Sequence, residues 1–181
     1  MANVLHILWF SVLFKGLNFV YFEMDKIENN YNAALIKTIT FSLVPCGNRT
    51  YLNGSVTPVV DIPRFNYTAV LNMRRDNGRV VKLFAATIDG CEFIDSNINK
   101  TMNLGNLFFR DLRALATFPK MCPWPKGFEV VVSMFYPDTR KWPIYMPEMK
   151  YNVMFIMYTN GKFGYSVTVN GTTLNRRRKK G

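Results

Sequence analysis

Three cysteines, Cys46, Cys91 and Cys122, and one histidine, His6, are the residues of this 181-residue chain whose types can carry nucleophilic or metal chemistry. His6 lies in an N-terminal apolar run. Once that run is removed, no imidazole is left to activate a serine or cysteine or to hold a metal. The cysteines have no CxxC spacing and do not make a zinc site. Asp89 and Glu92 are near enough in sequence for two-carboxylate chemistry, but adjacent loop acids more often cap a helix or meet solvent. The residues therefore predict no catalytic group, no metal and no cofactor, in a protein that is not an enzyme.

The cysteines are better read as structure. Cys91 sits in TIDGCEF (87–93) and Cys122 in CPWPKG (122–127). In an oxidising compartment these two pair most simply with each other, closing a loop of about 30 residues and contributing about 3 to 4 kcal/mol. Cys46 is then left as a buried free thiol, an intermolecular partner or a competitor for one of the other two, and spacing does not decide among these.

An oxidising compartment is what the N-terminus predicts. Val4 to Phe14 is almost unbroken apolar sequence, too short to span a bilayer and the right length for the core of a secretory signal. Residues 1–22 are read as that signal, with cleavage between Gly16 and Met24. An uncleaved anchor holding an ectodomain is the other reading, because no basic residue precedes the run. Five Asn-x-Ser/Thr sequons, at Asn48, Asn53, Asn66, Asn99 and Asn170, agree with export and glycosylation. The net charge of +11 does not point to nucleic acid once it is located. Five charges lie in a tail, 176–181, and one at Lys15, which leaves +5 on the folded part. A basic tail on a secreted chain meets lipid headgroups or acidic glycans, or simply solvent.

The elements that must hold these motifs are mostly strands. Phe65, Tyr67, Ala69, Leu71 and Met73 share one face and Asn66, Thr68, Val70 and Asn72 the other, followed by the turn signal Asp76-Asn77-Gly78 and an apolar run from Val80 to Ile88. A second hairpin runs from Met149 to Tyr158, turns at Thr159-Asn160-Gly161 and returns through Phe163, Tyr165, Val167 and Val169. Asn66 and Asn170 fall on the polar faces, where glycans require them. Strands are also expected over 38–44 and 56–62, with Pro58 and Pro63 confining the second to an edge or a bulge. Residues 23–35 are polar and weakly patterned. Between Asn103 and Thr117, the spacing of Leu104, Leu107, Phe108, Leu112 and Leu115 predicts one short helix, ended by Phe118-Pro119.

These motifs together, TIDGCEF, the helical insert, CPWPKG, the Pro-rich turn from Trp142 to Pro147 and the alternating strand after it, resemble a large family of small secreted insect proteins. That family is catalogued as a domain of unknown function and is related to the ML, or lipid-recognition, domain and to the insect CheB chemosensory proteins. The likeness covers roughly residues 38–173. It implies an all-β, immunoglobulin-like (ML-type) sandwich of about seven or eight strands over 23–175, a Cys91–Cys122 disulfide like the DGC…CP pair of ML proteins, and a lipid held between two splayed sheets. The inserted helix departs from the shorter ML loop.

The expected function is secreted, extracellular, non-enzymatic sequestration of a lipid or other hydrophobic small molecule, with a chemosensory setting implied by the resemblance. A membrane surface or a receptor is a further expected partner, and nucleic acid is not. The wall residues expected are Phe84, Phe93, Phe128, Tyr151, Val153, Phe155, Phe163 and Tyr165, with Leu107, Phe108 and Leu112 as a lid. The 15 phenylalanines and 10 methionines favour an adaptable apolar interior. The competing reading is an extracellular interaction module whose sandwich is solid.

Overall fold

A computed structural model describes residues 18–75, 77–95, 104–141 and 148–177. The period-two runs form nine antiparallel strands. They are β1 (Asn18–Tyr31), β2 (Ile36–Cys46), β3 (Arg49–Pro58), β4 (Asn66–Arg74), β5 (Val80–Asp89), β6 (Ala116–Thr117), β7 (Val130–Phe135), β8 (Met149–Thr159) and β9 (Lys162–Arg177). Five strands in the order β1-β9-β8-β4-β5 face four in the order β2-β3-β7-β6, making a two-sheet sandwich. Two helices, α1 (Gly90–Ile94) and α2 (Leu104–Ala114), lie between β5 and β6.

The inward row of β4 is buried along its whole length: Phe65 3%, Tyr67 1%, Ala69 0%, Leu71 0% and Met73 4% exposed. Strict alternation over nine residues admits one register, because a slip of one would turn this row to solvent. The β8–β9 hairpin closes through Asn160 and Gly161 at φ of 49° and 72°. Two consecutive positive φ values make the tight turn whose twist matches the flanking strands.

Several boundaries differ from the sequence reading, each for a physical reason. The expected strands 38–44 and 56–62 are the longer β2 and β3, paired through a turn at Gly47 and Asn48. β3 is interior to its sheet, and Pro58 closes it where no further ladder N–H is needed. The weakly patterned 23–35 segment belongs to β1, an edge strand whose charged outer face masks the buried Val20, Phe22 and Met24. β1 starts at Asn18 and pairs with β9 as far as Arg177, so residues 18–22, read as leader, and Arg176 and Arg177, read as tail, are strand. Asn48 and Asn66 are exposed, Asn53 and Asn170 are partly covered in their strands, and Asn99 lies outside the described residues.

The expected helix is present as α2, and among the described residues a second helix, α1, precedes it, beginning within the TIDGCEF motif. Asp89 accepts from the Cys91 and Glu92 amides at 2.8 and 3.1 Å and so caps α1. α2 runs from Leu104 to Ala114. Leu115 falls beyond it and is 40% exposed, while Phe109, outside the expected stripe, is fully buried. The Arg113 guanidinium donates to the carbonyl oxygens of Phe93 and Ile94, satisfying the C-terminal end of α1 and tying the two helices together.

Cys91 and Cys122 form a disulfide with 5.6 Å between their Cα atoms. It joins α1 to the loop that carries Trp124, which is wholly buried, pairs its backbone with Ile62 at 2.9 and 3.0 Å, and donates its indole N–H to Phe128 O at 2.9 Å. Cys46 is free and exposed at the end of β2, which overturns both the buried thiol and any pairing with Cys91 or Cys122.

Gly90 shows why the motif reads Asp-Gly-Cys. A Cβ there would lie 2.1 Å from the Phe65 ring, itself packed on Tyr67 and Trp124. Gly90→Ala is expected to cost about 1 to 3 kcal/mol through overpacking, read as a lower midpoint in denaturant.

Candidate ligand-binding site

The two inner faces do not meet everywhere. Between them lies a cavity of about 80 Å³, walled by side chains from both sheets and from α2. β1 contributes Phe22 and Met24, β4 Tyr67, β5 Phe84, β8 Tyr151, Val153 and Phe155, and β9 Tyr165, Val167 and Val169. The facing sheet gives Phe41, Leu52, Val56, Val130, Val132 and Phe135, with Pro137 and Phe118 beside them, and α2 adds Phe108 and Leu112. Aromatic contacts bind the wall together: Phe108 lies 5.6 Å from Phe135 and 6.4 Å from Phe155, and Tyr67 lies 4.8 Å from Phe155. Ring pairs at such separations add about 0.5 to 1.5 kcal/mol each beyond their burial.

Of the residues expected in the wall or lid, Phe84, Tyr151, Val153, Phe155, Tyr165, Phe108 and Leu112 line this cavity. Four do not. Phe93 is fully buried below it, against Phe109 and Phe118. Leu107 is buried outside the lining, one helical step from Phe108. Phe128 is 36% exposed, because the CPWPKG turn directs its carbonyl, not its ring, to the core. Phe163 is at the far end of the β8–β9 hairpin, against Tyr158. Alternation assigns a face but not a depth along the strand. Tyr67, Val167 and Val169 also line the cavity and lie on inward faces that alternation makes legible in the sequence. Phe22 and Met24 were hidden in the stretch read as leader and loop, and Phe41, Leu52, Val130, Val132 and Phe135 become wall only through the second sheet.

The wall carries no charged side chain, and its hydrogen-bonding side chains are three tyrosines. The Tyr151 hydroxyl donates to Glu23 O at 3.2 Å. The Tyr165 hydroxyl donates to that of Tyr67 at 3.5 Å, with both side chains buried. Desolvation dominates all three and raises their pKa values well above the ordinary tyrosine value, so each phenol stays neutral. Among the described residues no group of three or more His, Cys, Asp or Glu side chains is arranged to hold a metal.

Raised tyrosine pKa values fix a sign for the pH dependence. The unfolded phenols ionise near pH 10 while the folded ones do not, so the stability these groups contribute is present below about pH 10 and is lost as pH rises above it. Denaturant midpoints between neutral and strongly alkaline pH are expected to fall above pH 10, with the absorbance of three phenolates appearing only on unfolding. Titration of all nine tyrosines near pH 10 in the native protein would refute their burial.

A protein-family model described as "Protein of unknown function (DUF1091)" matches residues 67–153, a little under half of the chain. No curated protein matches the sequence. Among solved structures, the chain is similar to the crystal structure of a Niemann-Pick type C2 protein from Japanese carpenter ant, at 11% identity and a TM-score of 0.31, over 88% of this chain and 96% of that one. The part of the chain that is similar to the DUF1091 family thus runs from Tyr67 in β4 to Val153 in β8 and takes in both disulfide cysteines and both helices.

Proposed function

We propose that this protein is a secreted, glycosylated, non-enzymatic carrier that holds a lipid or other hydrophobic small molecule between its two sheets. The cavity is the observation that carries the reading. Protein interiors pack like organic crystals, and a void that admits one water needs about 10 to 15 Å³. Here about 80 Å³ is kept open by apolar side chains, which offer water almost no partners. An empty apolar void costs stability, and a guest that fills it returns those contacts. The same volume limits the guest: in this form it accepts a short length of hydrocarbon, and a larger molecule enters only as the sheets and α2 part. The resemblance of the cysteine frame to ML proteins supports a carrier without naming its cargo. The modest volume is also what favours the second reading, an interaction module with an essentially solid core.

Secretion is supported by the apolar leader, the Cys91–Cys122 bridge and the exposed sequons at Asn48 and Asn66. No helix among the described residues is long and apolar enough to cross a membrane. Because Val20 and Phe22 are core residues, 3% and 4% exposed, intact-mass analysis of protein from culture medium is expected to show cleavage before Asn18. A product beginning at Glu23 would contradict this boundary.

The carrier reading is tested by organic extraction and mass spectrometry of protein purified from medium, together with titration of an apolar fluorescent probe. A co-purifying lipid and saturable probe binding are expected, with binding weakened about tenfold or more by Val167→Phe, which fills the cavity. No lipid and no saturable binding in the native protein would leave the interaction module standing.

A further inference from the structure

The cavity wall holds one pair of polar groups that packing does not explain. Tyr67 and Tyr165 both line it, both are buried, and their hydroxyls are 3.5 Å apart, at the long limit of a hydrogen bond. Tyr165 donates to Tyr67. The Tyr67 proton then has no acceptor among the described residues. Tyr151, the third hydroxyl of the wall, has its backbone acceptor at Glu23. A core that only needed to be filled would use phenylalanine at both positions, because an unsatisfied buried hydroxyl costs free energy and a ring without it does not.

We propose that the Tyr67–Tyr165 hydroxyl pair is a ligand-recognition site that donates a hydrogen bond to a single uncharged oxygen of an otherwise apolar guest, such as the carbonyl of a long-chain ketone, aldehyde or ester. The inference rests on the carrier reading and narrows it. A guest oxygen accepting from Tyr67 supplies the missing partner, so oxygenated chains gain over plain hydrocarbons of equal length. Carboxylates are disfavoured, because no Lys or Arg lines the cavity to offset the burial of a charge. The phenols themselves stay protonated donors, since burial opposes their ionisation.

The test is displacement of a bound apolar fluorescent probe by dodecane, by a methyl ketone of matched chain length and by dodecanoate, on the full secreted protein and on Tyr67→Phe and Tyr165→Phe. Both substitutions remove only a hydroxyl from a buried ring, so the variants are expected to fold, with near-ultraviolet circular dichroism and the denaturant midpoint as the controls. The proposal expects the ketone to displace about tenfold more effectively than dodecane or dodecanoate, and the ketone-to-dodecane ratio to fall to about one in Tyr67→Phe. Equal displacement by ketone and dodecane in the unsubstituted protein would mean that water satisfies the pair, which overturns the proposal and leaves the carrier reading intact. A preference that survives in Tyr67→Phe would also overturn it, since the oxygen is then read elsewhere. Saturable binding of nothing at all removes the carrier reading and this proposal with it.

Discussion

The sandwich depends on a continuous run of aromatic side chains that starts at the disulfide end and finishes in the cavity wall. Trp124 packs on Phe65 at 5.8 Å, Phe65 on Tyr67 at 5.1 Å, and Tyr67 on Phe155 at 4.8 Å. From Tyr67 a branch passes to Phe93 at 5.7 Å and on to Phe118 and Phe109. Tyr67 is the node, and β4 places it on an interior strand of its sheet, between β8 and the edge strand β5. The other local features serve this run. Gly90 lacks a side chain because Phe65 occupies the space, Asp89 caps α1 so that Phe93 points inward, and the Cys91–Cys122 bridge holds the Trp124 loop against the first ring.

How much of this was legible follows from which residues carry a local pattern. The β4 row and the β8–β9 hairpin were readable, since Phe65 to Met73 and Tyr165 to Val169 alternate without exception and Asn160-Gly161 is a turn with few alternatives. β1 was not, because an edge strand buries one face only at Val20, Phe22 and Met24 and displays Glu23, Asp25, Lys26 and Glu28 on its open side. α1, at five residues, is too short for a helical period to declare itself. The cavity was partly legible. Periodicity placed Tyr151, Val153, Phe155 and Tyr165 inward, but which inward residues face a gap and which face another ring depends on the opposite sheet. Phe93 and Phe163 look like wall residues in sequence and end up packed against other aromatics for that reason.

The hydrogen-bonding side chains of the wall are phenols, which burial keeps protonated and therefore able to donate. Affinity must come from apolar contact, at about 25 cal/mol per Å² removed from water. Selectivity must come from shape and from whatever hydrogen bond the tyrosines provide.

The weakest side of the enclosure is also identifiable. Within each sheet, backbone ladders fix the strands, and β1 and β2 close one flank of the sandwich by direct contact. The opposite flank lies between the β5 edge and the two-residue β6 with β7, and α2 covers it through Phe108 against Phe84 at 6.5 Å and against Phe135 at 5.6 Å. No strand ladder joins α2 to either sheet. Polar ties lie in and just after its last turn, where Asp111 accepts from the Asp138 amide at 3.0 Å, Arg113 holds the last carbonyls of α1, and the Ser133 amide donates to Leu115 O at 2.9 Å. Rotating α2 about that end breaks ring contacts that a guest chain replaces, whereas separating β1 from β9 or β3 from β7 breaks backbone hydrogen bonds that a hydrocarbon cannot replace. The cavity side covered by α2, through Phe108 and Leu112, is therefore the one closed by side-chain packing and not by a strand ladder.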